Sequence, residues 1–174
     1  LRIESFAFLP GFGFGIAGSA LVGQYLGAKK FVEAKRAARL CMLLAVGTMT
    51  VAAIPMVVVP GMLLGWIVDS DVVVKTGTWP LVIAGLAQPG FAIAISRSAV
   101  LKGAGSTVWP MVSTITGMVM RVAMVLLLMV VFNRNGHAAL GLLAVWICIF
   151  IDLNYRAGFM EVVYRAGRWQ FKKV

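Results

Sequence analysis

Apolar residues fall in five blocks of roughly 23 to 30 residues, each long enough to cross a hydrocarbon core of about 30 Å. The blocks run approximately over 6–28, 37–66, 72–96, 107–132 and 138–163. Pro55 and Pro60 lie inside the second, and Pro80 and Pro89 inside the third. The fourth starts beside Ser106, Thr107 and Pro110, with Ser106 as its expected cap. The segments between blocks are short, which favours antiparallel neighbours. The expected fold is all-α: a polytopic bundle of five transmembrane helices forming one domain over 1–174.

Composition removes the main competitor. Hydrophobic residues make up 61% of the 174 residues and charged ones 13%, with a mean hydropathy of +0.95. A soluble globule built from five such helices has almost no polar surface left for water. The net charge of +10 would suggest nucleic acid in a soluble chain, but the charges avoid the apolar blocks, so no nucleic-acid partner is expected. Lys29, Lys30, Lys35, Arg36 and Arg39 follow the first block, and Arg97 and Lys102 follow the third. Arg156, Arg165, Arg168, Lys172 and Lys173 lie late in or beyond the fifth. Arg2, Lys75, Arg134, Asp69 and Asp71 belong to the opposite side. The positive-inside rule then places the first residue outside and the C-terminus in the cytoplasm, with the chain in the cell inner (plasma) membrane. An outside start implies at least one helix before residue 1. Trp66, Trp79, Trp109 and Trp169 sit near block ends as interfacial anchors, with Trp146 deeper.

The run Gly13 to Gly18 spells GxGxxG, but no strand precedes it and no αβ alternation follows, so a dinucleotide site is rejected. Read in fours, Gly11, Gly15, Ser19, Gly23 and Gly27 form a small-residue stripe on which a neighbouring backbone can pack closely. Gly27 is also expected to end the first helix in a left-handed turn, next to Gln24 and ahead of the basic cluster. Gly103 and Gly105 make the corresponding turn before the fourth block.

Ionisable side chains inside the membrane are the more specific signal, because they are costly there and turn toward a partner or a wet cavity. Arg121 and Asp152 lie near the middle of the fourth and fifth blocks. They pair within the bundle, or one of them lines a substrate or ion pathway. Gln88 beside Pro89 forms a polar spot where a backbone hydrogen bond is broken. Asn154 and Tyr155 add hydrogen-bonding groups, and Glu4 is a weaker candidate at a block end. Cys41 and Cys148 lie inside apolar blocks with no metal-binding spacing. His137 has no Cys, Asp or Glu beside it, so no metal, cofactor or hydrolytic triad is expected.

Two stretches carry a family resemblance. Phe8 to Ala28, ending Gly-Gln-Tyr-Leu-Gly-Ala, and Leu101-Lys-Gly-Ala-Gly-Ser-Thr107 with Trp109-Pro110 resemble signatures of the multidrug and toxic compound extrusion transporters. Trp146 through Arg156 to Trp169 is similar to that family's final helix and tail. The resemblance implies the second lobe of a twelve-helix transporter, without that lobe's first helix, whose partner is the missing first lobe. It further implies secondary, non-enzymatic efflux of small organic, often cationic, compounds in exchange for Na⁺ or H⁺ by alternating access. The acidic residues that many members carry on their tenth helix have no counterpart in the third block, where Gln88 is only a polar residue. Two other readings compete. One is a flippase for lipid-linked substrates, which calls for more polar or cationic residues along a central groove. The other is a noncatalytic membrane subunit docking a partner through the small-residue stripe.

Overall fold

The computed structural model describes residues 2–135, 138–167 and 169. His137 lies outside the described residues, as do Arg168, Lys172 and Lys173. The chain forms α1 (Arg2–Gly27), α2 (Phe31–Val58), the short α3 (Pro60–Gly65), α4 (Asp71–Gly103), α5 (Val108–Asn135) and α6 (Ala138–Arg165). All but α3 contain a stretch long and apolar enough to cross a membrane, which makes this an all-α, five-helix membrane-spanning bundle.

The axis of the bundle is α4. It packs against α1, α2, α3 and α6, and half of its central apolar stretch is buried. The periphery is α5, held mainly by α6, with 11% of its apolar stretch buried. Met111, Ile115, Met118, Val122 and Leu126 are exposed along α5. Such a face would be an aggregation hazard in water and is an ordinary lipid contact in a bilayer. The methionines divide accordingly: Met49, Met56 and Met160 are enclosed, while Met62 and Met129 face outward.

Helix limits depart from the hydropathy pattern at two places, each for a backbone reason. The apolar run continues to Trp66, but α2 stops at Val58. Val59 precedes Pro60 and is pushed out of the helical region, to φ −130° and ψ 47°, and Pro60 then opens α3. The third apolar block ends at Ser96, but α4 continues to Gly103 and takes Arg97 and Lys102 into the helix.

The left-handed turn after α1 is made by Lys29, with φ 59°, and not by Gly27. The Lys29 N–H donates to the Leu26 carbonyl at 2.9 Å and the Lys30 N–H to Tyr25 at 2.8 Å, closing the last turn in a Schellman motif. After α4 the same motif is built on Gly105, with φ 72°. Here Gly105 donates to Lys102 at 2.9 Å and Ser106 to Leu101 at 2.8 Å. Ser106 is therefore the residue that closes α4. The Thr107 carbonyl accepts from Met111, so Thr107 and not Ser106 stands at the start of α5.

The small-residue stripe serves two neighbours. A Cβ on Gly11 would collide with the Met49 sulfur of α2, whereas one on Gly15 would press on Ile95 and Ala99 of α4. Farther along, Gly103 of α4 lies against the Ser19 backbone, where any Cβ would overlap it, and a Cβ on Gly23 would stand 3.2 Å from the Gly103 carbonyl oxygen. Two backbones thus meet with no side chain between them. Gly27 is the exception, because nothing lies within 4 Å of a Cβ built there. It is the last helical residue and packs on nothing, and Gln24 beside it is exposed.

Trp66, Trp79 and Trp109 are exposed, as anchors would be, but Trp169 is buried. Its indole N–H donates to the Tyr164 carbonyl at 3.0 Å and its ring stacks on Tyr164 with centroids 5.2 Å apart. Trp146 packs against Ala7, Met56, Leu81 and Ala84. Cys41 and Cys148 are both buried and free.

Candidate functional site

Helix α6 runs between α5 on one face and α4 on another, and its polar residues divide between them. Asp152, at the midpoint of α6, is fully buried (0% exposed). Both carboxylate oxygens accept from arginines. Oδ2 takes a hydrogen bond from Arg121 Nη2, which reaches across from the middle of α5. Oδ1 takes one from Arg156 Nε at 2.8 Å, one turn along α6. A carboxylate isolated in hydrocarbon is too costly to remain charged. Two guanidinium donors offset that cost, and losing either leaves a buried charge under-compensated.

Gly117 of α5 makes the room. A Cβ there would overlap Asp152 Oδ1 and stand 2.5 Å from Arg156 Nε. One turn later on the same face, Arg121 supplies the second guanidinium. Tyr155 also turns toward α5, donating its hydroxyl to Thr116 Oγ1 at 3.3 Å. Asn154 instead faces α4, where a Cβ on Gly90 would lie 2.7 Å from its Oδ1, and its Nδ2 donates to the Phe150 carbonyl at 2.9 Å. Gln88 is buried in α4, and its Oε1 has no hydrogen-bond partner among the described residues. Of the five pathway candidates, the structure brings Arg121 and Asp152 together and places Tyr155 one turn from Asp152. Asn154 and Gln88 belong to the α4 side.

A second cluster lies nearer the end of α6. Arg97, which the charge pattern assigns to a loop, is a helical residue only 4% exposed. Its Nε donates to Glu161 Oε2 at 2.6 Å, and Arg165 donates to Oε1 of the same carboxylate at 2.8 Å. The Arg97 guanidinium also lies 3.6 Å above the centre of the Tyr164 ring. Arg156, Gly117, Glu161 and the buried state of Arg97 all escape a hydropathy reading. Two of the pairings are signalled by spacing alone, since Asp152 with Arg156 and Glu161 with Arg165 stand four apart on one helix.

A cavity of about 610 Å³ opens between Leu101, Ser106, Trp109, Phe159, Val163 and Trp169. Another, of about 490 Å³, lies between Phe12, Gly15, Ser19, Ile95, Ser98 and Lys102. Neither is lined by Arg121 or Asp152. Among the described residues no group of three or more His, Cys, Asp or Glu could hold a metal ion. What the arrangement offers is charge chemistry at mid-span: a buried carboxylate, two guanidiniums, and a phenol hydroxyl nearby.

Comparison with known proteins gives a consistent assignment. A family model described as MatE matches residues 1–127. Over all 174 residues the chain is 26% identical to the "Probable multidrug resistance protein NorM" of Thermotoga maritima. It covers 36% of that relative's length, so the chain spans about a third of the curated protein it matches. Members of this family are secondary transporters and not enzymes. With the family model covering most of a five-helix membrane-spanning bundle, this chain belongs to the MatE family of membrane transporters.

Proposed function

We propose that this chain is part of an ion-coupled efflux transporter, corresponding to the second lobe without its first helix and working by alternating access against a first lobe. The compounds exported are small and organic, cationic ones among them, and the exchanged ion is Na⁺ or H⁺. The basic ends of α1, α4 and α6 face the cytoplasm in this reading, which follows the positive-inside rule. The observation that carries it is the fully buried Asp152 held between Arg121 and Arg156 at mid-span, since ionisable groups at that depth mark substrate and ion pathways. The relative's printed name, a probable multidrug resistance protein, points to the same substrate class.

The test is transport by the full-length protein in liposomes, with a cationic dye and imposed Na⁺ or H⁺ gradients. Gradient-driven dye movement that disappears in Asp152→Asn supports efflux with Asp152 on the path. Movement that persists in Asp152→Asn makes the cluster a packing device, and no movement under either gradient, with folded protein, rejects the efflux reading.

A further inference from the structure

Helix α6 outruns its neighbour. The two helices run antiparallel, with Gly117 of α5 against Asp152 and Trp109 against Phe159. Counting back from Gly117, α5 begins at Val108, and the same count forward from Asp152 ends at Glu161. From Val162 onward, therefore, α6 overhangs the start of α5 and loses the helix that covers the rest of that face. The cavity of about 610 Å³ occupies this overhang. Val162, Val163 and Ala166 line it, the first turn of α5 contributes Trp109, and the tail contributes Trp169. Val162, Ala166 and Trp109 are exposed, so it opens on the outside of the bundle, at the interfacial end of the lipid-facing α5. Its volume is in the range of sites that enclose small ligands. Among the described residues none that lines it is charged, and the Trp169 N–H is already given to the Tyr164 carbonyl. Water needs two or more polar partners to settle in such a place, whereas an acyl chain needs none. Cations stand at the rim. Arg165, next to the lining Ala166, is 77% exposed, and Lys102, next to the lining Leu101, is exposed as well.

We propose that this cavity is a lipid site, holding one acyl chain of an anionic phospholipid from the leaflet at the basic end of the bundle, with the headgroup at Arg165. Basic residues beside a membrane span attract anionic lipids, and the apolar walls give the chain a seat that the flat lipid-facing surface of α5 does not offer. Trp169 ties the site to the rest of the bundle. It is stacked on Tyr164, whose ring carries the Arg97 guanidinium 3.6 Å from its centre. A chain seated against Trp169 therefore steadies the contact between α4 and α6. The site stands on packing and charge and does not depend on what the protein carries.

The experiment is thermal unfolding of the purified full-length protein in dodecyl maltoside, titrated with phosphatidylglycerol or with phosphatidylcholine of the same chains. A ligand bound only by the folded state raises its unfolding temperature by mass action. The wild type is expected to gain a saturable stabilisation, reached at lower concentration with phosphatidylglycerol. Ala166→Phe fills the cavity and Val162→Trp plugs its mouth. Both start from exposed positions, so neither needs the core to repack, and either one alone carries the test. Each should unfold without lipid at or above the wild-type temperature and bind phosphatidylglycerol about tenfold more weakly, the worth of roughly two buried methylenes. Arg165→Gln should remove the preference for phosphatidylglycerol and leave the response to phosphatidylcholine as it is. Filled variants that respond to lipid as the wild type does overturn the proposal, and so does a wild type that does not distinguish the two lipids. A lipid response that emerges only after deletion of residues 170–174 gives the cavity to the chain's own tail and overturns it as well.

Discussion

Helix α6 carries the same device twice. Asp152 is bonded by Arg156, four residues on, and by Arg121 from α5. Glu161 is bonded by Arg165, four residues on, and by Arg97 from α4. The acids are nine residues apart, two and a half turns, so they look to opposite sides of the helix and tie it to different neighbours. Burial is inverted between them. In the first cluster the acid is sealed and the incoming arginine is one-third exposed; in the second the incoming arginine is 5% exposed and the acid 24%. Arg97 is also braced by the Tyr164 ring, which Trp169 stacks upon from its own position. Connectivity alone therefore does not define what such a cluster does. In one cluster the cost of burial falls on the acid, and in the other on an arginine that an aromatic ring helps to hold.

Removing each acid should show the largest contrast. Asp152→Ala strips the carboxylate from between two guanidiniums at mid-span, a change of the class that costs about 3–5 kcal/mol. Glu161→Ala acts on a partly exposed acid whose second arginine, Arg165, keeps its access to water, so a smaller loss is expected, carried by the buried Arg97. Equilibrium unfolding in mixed detergent micelles measures both. Equal losses would mean that depth in the membrane makes no difference to these clusters.

The two clusters were unequally visible from sequence, for physical reasons. Asp152 and Arg121 stand out because hydrocarbon on every side makes a lone charge expensive, and hydropathy registers that cost. Arg97 follows Ser96 at the edge of an apolar block, and a basic residue there reads as a cytoplasmic loop marker. Only the continuation of α4 to Gly103 and the approach of Glu161 turn it into a buried residue. The role of Gly117 was equally hidden, since a glycine that makes room is recognisable only once the neighbour needing that room is known. Helix existence followed directly from block length. The end of α2 did not, because Val59 is apolar and its exclusion from the helix comes from the ring of Pro60.

Space sharpens the comparison next. Gly117→Ala puts a methyl group onto the Asp152 and Arg156 side chains, and overpacking of this kind costs about 1–3 kcal/mol. Gly158→Ala is the control on α6 itself. Nothing lies within 4 Å of a Cβ there, so the better helix former should be neutral or stabilising by up to about 1 kcal/mol. If the two alanines behave alike, the close approach of α5 to the first cluster is wrong.

Swapping arginine for lysine asks how far each cluster depends on the guanidinium's shape. Arg97→Lys gives up the planar face over Tyr164 and the directed Nε donor, and a loss of about 1–2 kcal/mol is expected from the buried cation–π contact and its hydrogen bond together. Arg121→Lys keeps a cation that can reach one oxygen, which is all the present contact uses, so it should cost less than Arg97→Lys. The unfolding midpoints of the two variants give the order directly, and the reverse order would make Arg121 the fixed member of the pair.

The smallest effect belongs to the arginine that looks most like a partner on paper. Arg165 and Arg156 make the same bond at the same 2.8 Å, each four residues beyond its acid. Arg165 is 77% exposed where Arg156 is 21%, and its bond competes with water at every moment while entropy opposes holding the long side chain in place. Arg165→Ala should therefore fall within about 0.5 kcal/mol of wild type, since Arg97 already compensates Glu161 from the buried side. Arg156→Ala takes a partner from the fully buried Asp152 and should cost several times as much. Identical distances with unequal losses would locate the energy of these clusters in burial. A large loss at Arg165 would move it to the helix end and undo the contrast between the two acids.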